Sequence, residues 1–206
     1  MQAKYTKRRK TMKKQIYILA LIVSCAVLTA CEKKDADKKF SAGQETSEEE
    51  NYGMSGETQN GKYVFFWETM ELCDWEFEGD DDKVLASVIA YLAKQSDDVI
   101  FQFDDLMSEL LYHLDTKKLA DQCRKVSGYM SADGFLYSRC VALINGPGYY
   151  EKAKAGQRKD MWDMEFESLL YVPAYAWELK YGEMGEEYPH ITPLSFETGS
   201  NEEGWK

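Results

Sequence analysis

Histidine is scarce and paired cysteine motifs are absent, which limits the chemistry open to this chain. The 206 residues include two histidines, His113 and His190, and five cysteines, none of them in a Cys-x-x-Cys motif. Protein zinc sites draw their ligands mainly from clustered Cys and His, so we expect no metal and no cofactor. Ser-His-Asp and Cys-His catalysis needs a histidine beside the nucleophile. The composition therefore favours a protein that is not an enzyme.

Sustained alternation of apolar and polar residues, the pattern of strands, is also missing. Apolar residues instead recur at spacings of three and four over residues 62–190, as on the buried faces of helices. The sequence predicts an all-α fold, with one compact domain of about six to seven helices over this range. From Tyr63 we expect a first helix whose buried face carries Phe66, Met70, Cys73 and Phe77. The last long helix should start at Asp160 and continue through a kink at Pro173.

Helix ends are marked by capping residues. Ser96, Asp115 or Thr116, and Ser131 are the expected N-caps, and Asn145-Gly146-Pro147-Gly148 should stop the helix that Ser131 opens. Three cysteines fall on the apolar stripes of predicted helices, and we expect them to be small buried residues. They are Cys73, Cys123 and Cys140.

A long apolar run occurs once, from Ile16 to Ala30, and seven Lys and Arg residues precede it. This order is typical of a bacterial secretory signal. Its 15 residues fall short of the roughly 20 that a helix needs to cross a bilayer core. The run ends in Leu28-Thr29-Ala30-Cys31, which resembles the lipobox of bacterial lipoproteins. The resemblance implies cleavage before Cys31 and acylation of its thiol with palmitate; an uncleaved signal anchor is the alternative.

The chain on either side of the helical domain has a different composition. After the signal peptide of residues 1–30, residues 31–61 are rich in Lys, Asp, Glu, Ser and Gly. Such a segment buries too little apolar surface to fold, so it predicts a disordered tether. Residues 191–206 hold Pro193 and two glycines without helical periodicity. We expect them to form an irregular C-terminal tail.

Positive charge becomes scarce once the signal is removed. Seven of the 25 Lys and Arg residues lie in 1–30, so 18 remain against 36 Asp and Glu, a formal charge of −18. A surface of this charge repels phosphates, which argues against nucleic acid as a partner, and it repels anionic lipid. We expect the protein to face the outside of the cytoplasm, held at the bacterial cell membrane by the lipid on Cys31.

Four charged residues could carry chemistry. Arg139 lies mid-helix among apolar neighbours, Asp133 lies in the first turn of the same helix, and Asp104 and Asp105 lie in the third helix. Because guanidinium pairs bidentately with carboxylate, Arg139 is expected to form an interhelix ion pair with Asp104 or Asp105. Alternatively, Arg139 and Asp133 could line a cleft for an anionic ligand, as in a hydrolase or a small-ligand binder.

Several stretches resemble one family, the bacterial domain of unknown function 4240. They are Phe66-Trp67, Phe101 to Leu106, Asp133 to Arg139, and Val172-Pro173-Ala174-Tyr175. The resemblance covers residues 62–190 and implies a shared fold. It implies no reaction, because the family is known by its sequence pattern.

Aromatic residues are abundant, with 14 tyrosines and five tryptophans, and both types are enriched at binding surfaces. The sequence therefore favours a lipid-anchored envelope protein whose helical domain binds another protein. The alternatives are the hydrolase or ligand binder and an immunity-type protein that neutralises a toxin. The candidate contact residues are Asp133, Arg139, Asp104, Asp105 and Trp67.

Overall fold

The computed structural model describes residues 61–182 and 187–206. Within these ranges the chain contains seven α-helices, three short 3₁₀-helices and no strand, which confirms the all-α prediction. The α-helices are α1 (Val64–Met70), α2 (Asp81–Leu92), α3 (Asp97–Leu114), α4 (Lys117–Ser127), α5 (Ala132–Ile144), α6 (Pro147–Lys154) and α7 (Val172–Tyr181). The 3₁₀-helices are Trp75–Phe77, Asp160–Asp163 and Glu167–Tyr171.

The predicted signal peptide, Cys31 and the tether up to residue 60 lie outside the described residues. Across the ranges that are described, each helix is too short or too polar to cross a membrane.

One hydrophobic core holds the helices together, with α3 and α5 at its centre. Helix α3 packs against α1, α5, α6 and α7, and α2 packs along α7. Nine residues of α5 between Phe135 and Ile144 are buried, among them Arg139. Cys73, Cys123 and Cys140 are buried free thiols, as expected from their positions on apolar stripes.

The predicted caps explain where several helices begin and end. The Ser131 hydroxyl accepts a hydrogen bond from the Gly134 N–H at 2.9 Å and opens α5, and Thr116 caps α4 in the same way. Gly146 follows α5 with φ of +82°, a conformation that glycine adopts without strain. Pro147 then occupies the first position of α6, where a missing N–H costs no helical hydrogen bond.

Two helices differ from the prediction. The first ends at Met70, and Phe77 belongs to a separate 3₁₀-helix. Both the helix and the turn after it direct apolar side chains into one core. The apolar residues therefore keep their spacing of three and four positions beyond the helix end, and the sequence pattern does not show where the helix stops.

The expected long helix from Asp160 is also wrong, because two 3₁₀-helices precede α7. Between them the chain is held extended against α5: the Ser138 hydroxyl donates to the Met164 carbonyl at 2.8 Å, and the Phe166 N–H donates to the Tyr137 carbonyl at 3.1 Å. Pro173 therefore lies in the first turn of α7, where proline is tolerated, and produces no kink inside a helix.

Candidate functional site

Arg139 is completely buried and hydrogen-bonded to main chain on two sides. Its Nη1 donates to the Leu111 carbonyl of α3 at 2.8 Å. Its Nη2 donates to the Phe196 carbonyl at 2.9 Å and to the Thr198 hydroxyl at 3.1 Å. The guanidinium also lies 4.9 Å from the centre of the Phe135 ring. Burial lowers the pKa of Arg139, and the nearby Asp115 opposes this shift.

The acidic neighbour of Arg139 is Asp115, which replaces the predicted partners Asp104 and Asp105. The Asp115 carboxylate lies 4.0 Å from Nη1, and both side chains are fully buried. Asp115 accepts hydrogen bonds from the N–H groups of Gly199 and Asn201 at 2.9 and 3.1 Å. It also accepts one from the Trp205 indole N–H at 2.9 Å. The irregular tail is therefore fastened to α3 and α5 through a buried charge pair.

A second group of polar residues lies where α3 meets α7 and residues 187–191. Its aromatic centre is Phe101, whose ring stacks on His190 with centroids 4.6 Å apart and on Trp177 with centroids 5.7 Å apart. Tyr188 approaches Phe101 at 6.0 Å between centroids. We call this group, together with Asp104 and Asp105, the α3–α7 cluster.

The two carboxylates of the α3–α7 cluster have different environments. Asp104 is 7 % exposed and accepts a hydrogen bond from the Tyr188 hydroxyl at 2.9 Å. Burial raises the pKa of Asp104 to about 6, although the Tyr188 bond and His190 act in the opposite direction. Asp105 is more exposed and lies 2.7 Å from the His190 Nε2. One carboxyl can thus take up a proton near neutral pH, while its neighbour pairs with a histidine.

Exposed groups border the α3–α7 cluster. Asp97 accepts hydrogen bonds from the Lys180 ammonium at 2.6 Å and from the Tyr181 hydroxyl at 2.7 Å, and these bonds hold the pKa of Asp97 below its usual value. Tyr181 is 46 % exposed and Ile191 is 88 % exposed. The cluster therefore presents apolar and acidic groups to solvent side by side.

The predicted contact residues occupy three separate environments. Asp104 and Asp105 lie in the α3–α7 cluster, and Arg139 lies in the core beside Asp115. Asp133 is exposed in the first turn of α5. Trp67 is on α1, where it packs against Phe66 and Tyr150 with ring centroids 4.9 and 5.6 Å away. The structure therefore brings only the two adjacent aspartates together.

Sequence reasoning missed Tyr188, His190 and Asp115. The first two flank Pro189 in a stretch without periodicity, so their contacts with α3 depend on tertiary structure. The sequence indicates a helix cap at Asp115 or Thr116, and because Thr116 takes that role, the Asp115 carboxylate is free to point into the core. Among the described residues, no group of three or more His, Cys, Asp or Glu side chains is arranged to hold a metal ion.

Comparison with known proteins gives one match. Residues 64–179 match the model of a family described as a protein of unknown function, DUF4240. Neither the curated proteins nor the solved structures include a match. The family match ends before Tyr188 and before the tail that reaches Arg139. Since it spans more than half of the 206 residues, the chain belongs to the DUF4240 family.

Proposed function

We propose that this chain is a lipid-anchored protein of the bacterial cell envelope whose helical domain binds another protein without catalysing a reaction. Anchoring would occur through palmitate on Cys31, after removal of residues 1–30, and the segment 31–61 would link the lipid to the domain. The basic leader, the short apolar run and the residues 28–31 support this part of the proposal.

The α3–α7 cluster is the observation that carries the binding proposal. Protein interfaces combine aromatic anchors with a polar rim, and most of the binding free energy comes from a few side chains, often Trp, Tyr and Arg. Here Trp177 and Tyr181 lie 4.5 Å apart between ring centroids, and Ile191, which follows His190 in the chain, is 88 % exposed. Asp97 and Asp105 supply carboxylates at the border.

Charge indicates the kind of protein that would fit this surface. The chain after residue 30 carries a formal charge of −18, and interface charges are generally complementary. A partner segment with Lys or Arg beside an apolar side chain would satisfy both features of the α3–α7 cluster. Such pairing accelerates encounter at low salt and weakens at high salt.

The alternative of a ligand cleft formed by Arg139 and Asp133 receives no support from the geometry. Arg139 is fully buried, and both terminal nitrogens of its guanidinium already donate to protein oxygens. An anionic ligand would have to displace the main chain of the tail to reach it.

Site-specific crosslinking in cells tests the binding proposal. A photoreactive amino acid placed at Ile191 should give a discrete adduct with an envelope protein, and Tyr181→Ala should reduce its yield. The matched control is Trp75, which is 46 % exposed on the 3₁₀-helix between α1 and α2 and lies outside the α3–α7 cluster. Absence of an adduct at position 191 across low and moderate salt, or the same adduct from both positions, would contradict the proposal.

A further inference from the structure

The positive charge of this acidic chain is concentrated on one part of its surface. Helix α4 and residues 151–160 hold eight basic residues and three acidic ones, whereas the whole chain after residue 30 has 18 basic and 36 acidic residues. We call the basic set the α4–α6 basic face. Its members are Lys117, Lys118, Arg124, Lys125, Lys152, Lys154, Arg158 and Lys159.

Direct contacts join the two halves of the α4–α6 basic face. The Lys118 ammonium donates to the Ala155 carbonyl at 3.2 Å, and the Gln122 amide donates to the Gly156 carbonyl at 2.9 Å. These bonds place the exposed side of α4 next to the end of α6. All members of the face except Arg158 are exposed, and Arg158 is half-buried.

Most of this positive charge is not neutralised locally. Asp121 is shared by Lys117 and Arg124, at 3.1 and 2.7 Å, and Arg158 pairs with Asp160 at 2.8 Å. Within the described ranges no carboxylate lies within ion-pair distance of the remaining five lysines. They are Lys118, Lys125, Lys152, Lys154 and Lys159.

Apolar groups border the same face. Tyr129 is 78 % exposed and Val126 is 39 % exposed at the C-terminal end of α4. An exposed tyrosine beside lysines suits the boundary between headgroups and acyl chains, because its ring is apolar and its hydroxyl is polar. Lysine stems can likewise lie along lipid while the ammonium reaches phosphate.

We propose that the α4–α6 basic face lies against anionic phospholipid headgroups and determines which side of the domain is turned to the membrane. The inference rests on the proposed function only in requiring that the chain be held at a bilayer. The net charge of −18 does not prevent this contact, because screening limits charge interactions to roughly 8 Å at physiological salt. A membrane in contact with the face therefore interacts mainly with the local lysines.

Lysine footprinting on vesicles tests this orientation. The full chain is reconstituted into vesicles of phosphatidylcholine alone or of phosphatidylcholine with phosphatidylglycerol, and each lysine is acylated with a water-soluble reagent and quantified by mass spectrometry. Lys118, Lys125, Lys152 and Lys154 should become less reactive only on the anionic vesicles, and added salt should restore their reactivity. Lys94 should react equally on both vesicles.

Two double variants with the same change in charge sharpen the test. Lys125→Glu with Lys154→Glu should abolish the protection of the remaining face lysines. The affinity of the face for the anionic surface should fall about fivefold for each lysine removed. Lys94→Glu with Lys206→Glu should leave the protection intact, since both residues lie outside the face. Circular dichroism verifies that each variant is folded.

The proposal is overturned if the face lysines are equally reactive on both vesicle types, or if the two double variants have equal effects. It is also overturned if soluble polyphosphate protects these lysines and vesicles do not. The measured reactivity of the lysines does not depend on acylation of Cys31 or on binding of a protein partner. An unprocessed chain still carries the apolar run of residues 16–30, which can insert into one leaflet without crossing the bilayer. No protein partner is present in the vesicles, so failure of acylation or of partner binding leaves the footprint interpretable.

Discussion

Replacing Asp115 with alanine should strongly destabilise the domain. The Asp115 carboxylate accepts hydrogen bonds from Gly199, Asn201 and Trp205 and lies 4.0 Å from Arg139. Asp115→Ala leaves those donors and a buried guanidinium without an anion. Removing one member of a buried charge pair typically costs about 3–5 kcal/mol, a large part of the 5–15 kcal/mol that stabilises an ordinary domain. We expect a loss of this size.

Urea unfolding of residues 62–206, followed by circular dichroism, measures the effect. Arg139→Met should also be destabilising, and the double variant should lose at least about 1 kcal/mol less than the sum of the two, because the groups share one environment. Asp121→Ala provides a control, since its ion pairs are on the surface and the unfolding midpoint should barely change. A loss below about 1 kcal/mol for Asp115→Ala, or strictly additive losses in the double variant, would contradict a stabilising buried pair of Asp115 and Arg139.

Three further substitutions test other features. Burial raises the pKa of Asp104 to about 6 from 3.8, so its contribution to stability is complete below pH 3.8 and is lost as the pH rises through 6. Asp104→Asn should therefore reduce the change in the free energy of unfolding between pH 4 and pH 7 by about 2 kcal/mol in urea titrations. Pro173→Ala should change the free energy of unfolding by less than about 1 kcal/mol, whereas a gain near 3 kcal/mol would place the proline inside a helix. Ser131→Ala should lower the free energy of unfolding by about 1 kcal/mol. Ser96→Ala should lower it by less, since the Ser96 side chain forms no hydrogen bond to its helix. Equal losses of stability in thermal unfolding would contradict the capping geometry.

Helices whose ends carry strong local signals were predictable from the sequence. Ser131 and Gly146 mark the ends of α5 through their own side-chain and backbone chemistry, and the structure places the helix between them. The region around Met164 was not predictable. There the backbone is held extended by hydrogen bonds to Tyr137 and Ser138, and these distant partners override the local periodicity.

In the candidate site too, local sequence features were predictable and contacts between distant residues were not. The adjacent aspartates 104 and 105 stood out by residue type, and they do lie in one cluster. Their partners Tyr188 and His190 are more than 80 residues away in sequence, and nothing local indicates which helix such residues will meet. The buried partner of Arg139 was missed for the same reason, because ion-pair geometry depends on how α3, α5 and the tail pack together.

We propose that Cys31 carries the lipid that keeps this domain at the envelope. Metabolic labelling with palmitate in the bacterium, followed by isolation of the chain, tests it most directly. Label should enter the wild-type protein and should not enter Cys31→Ala. An unlabelled wild-type protein, or equal labelling of the two, would contradict it.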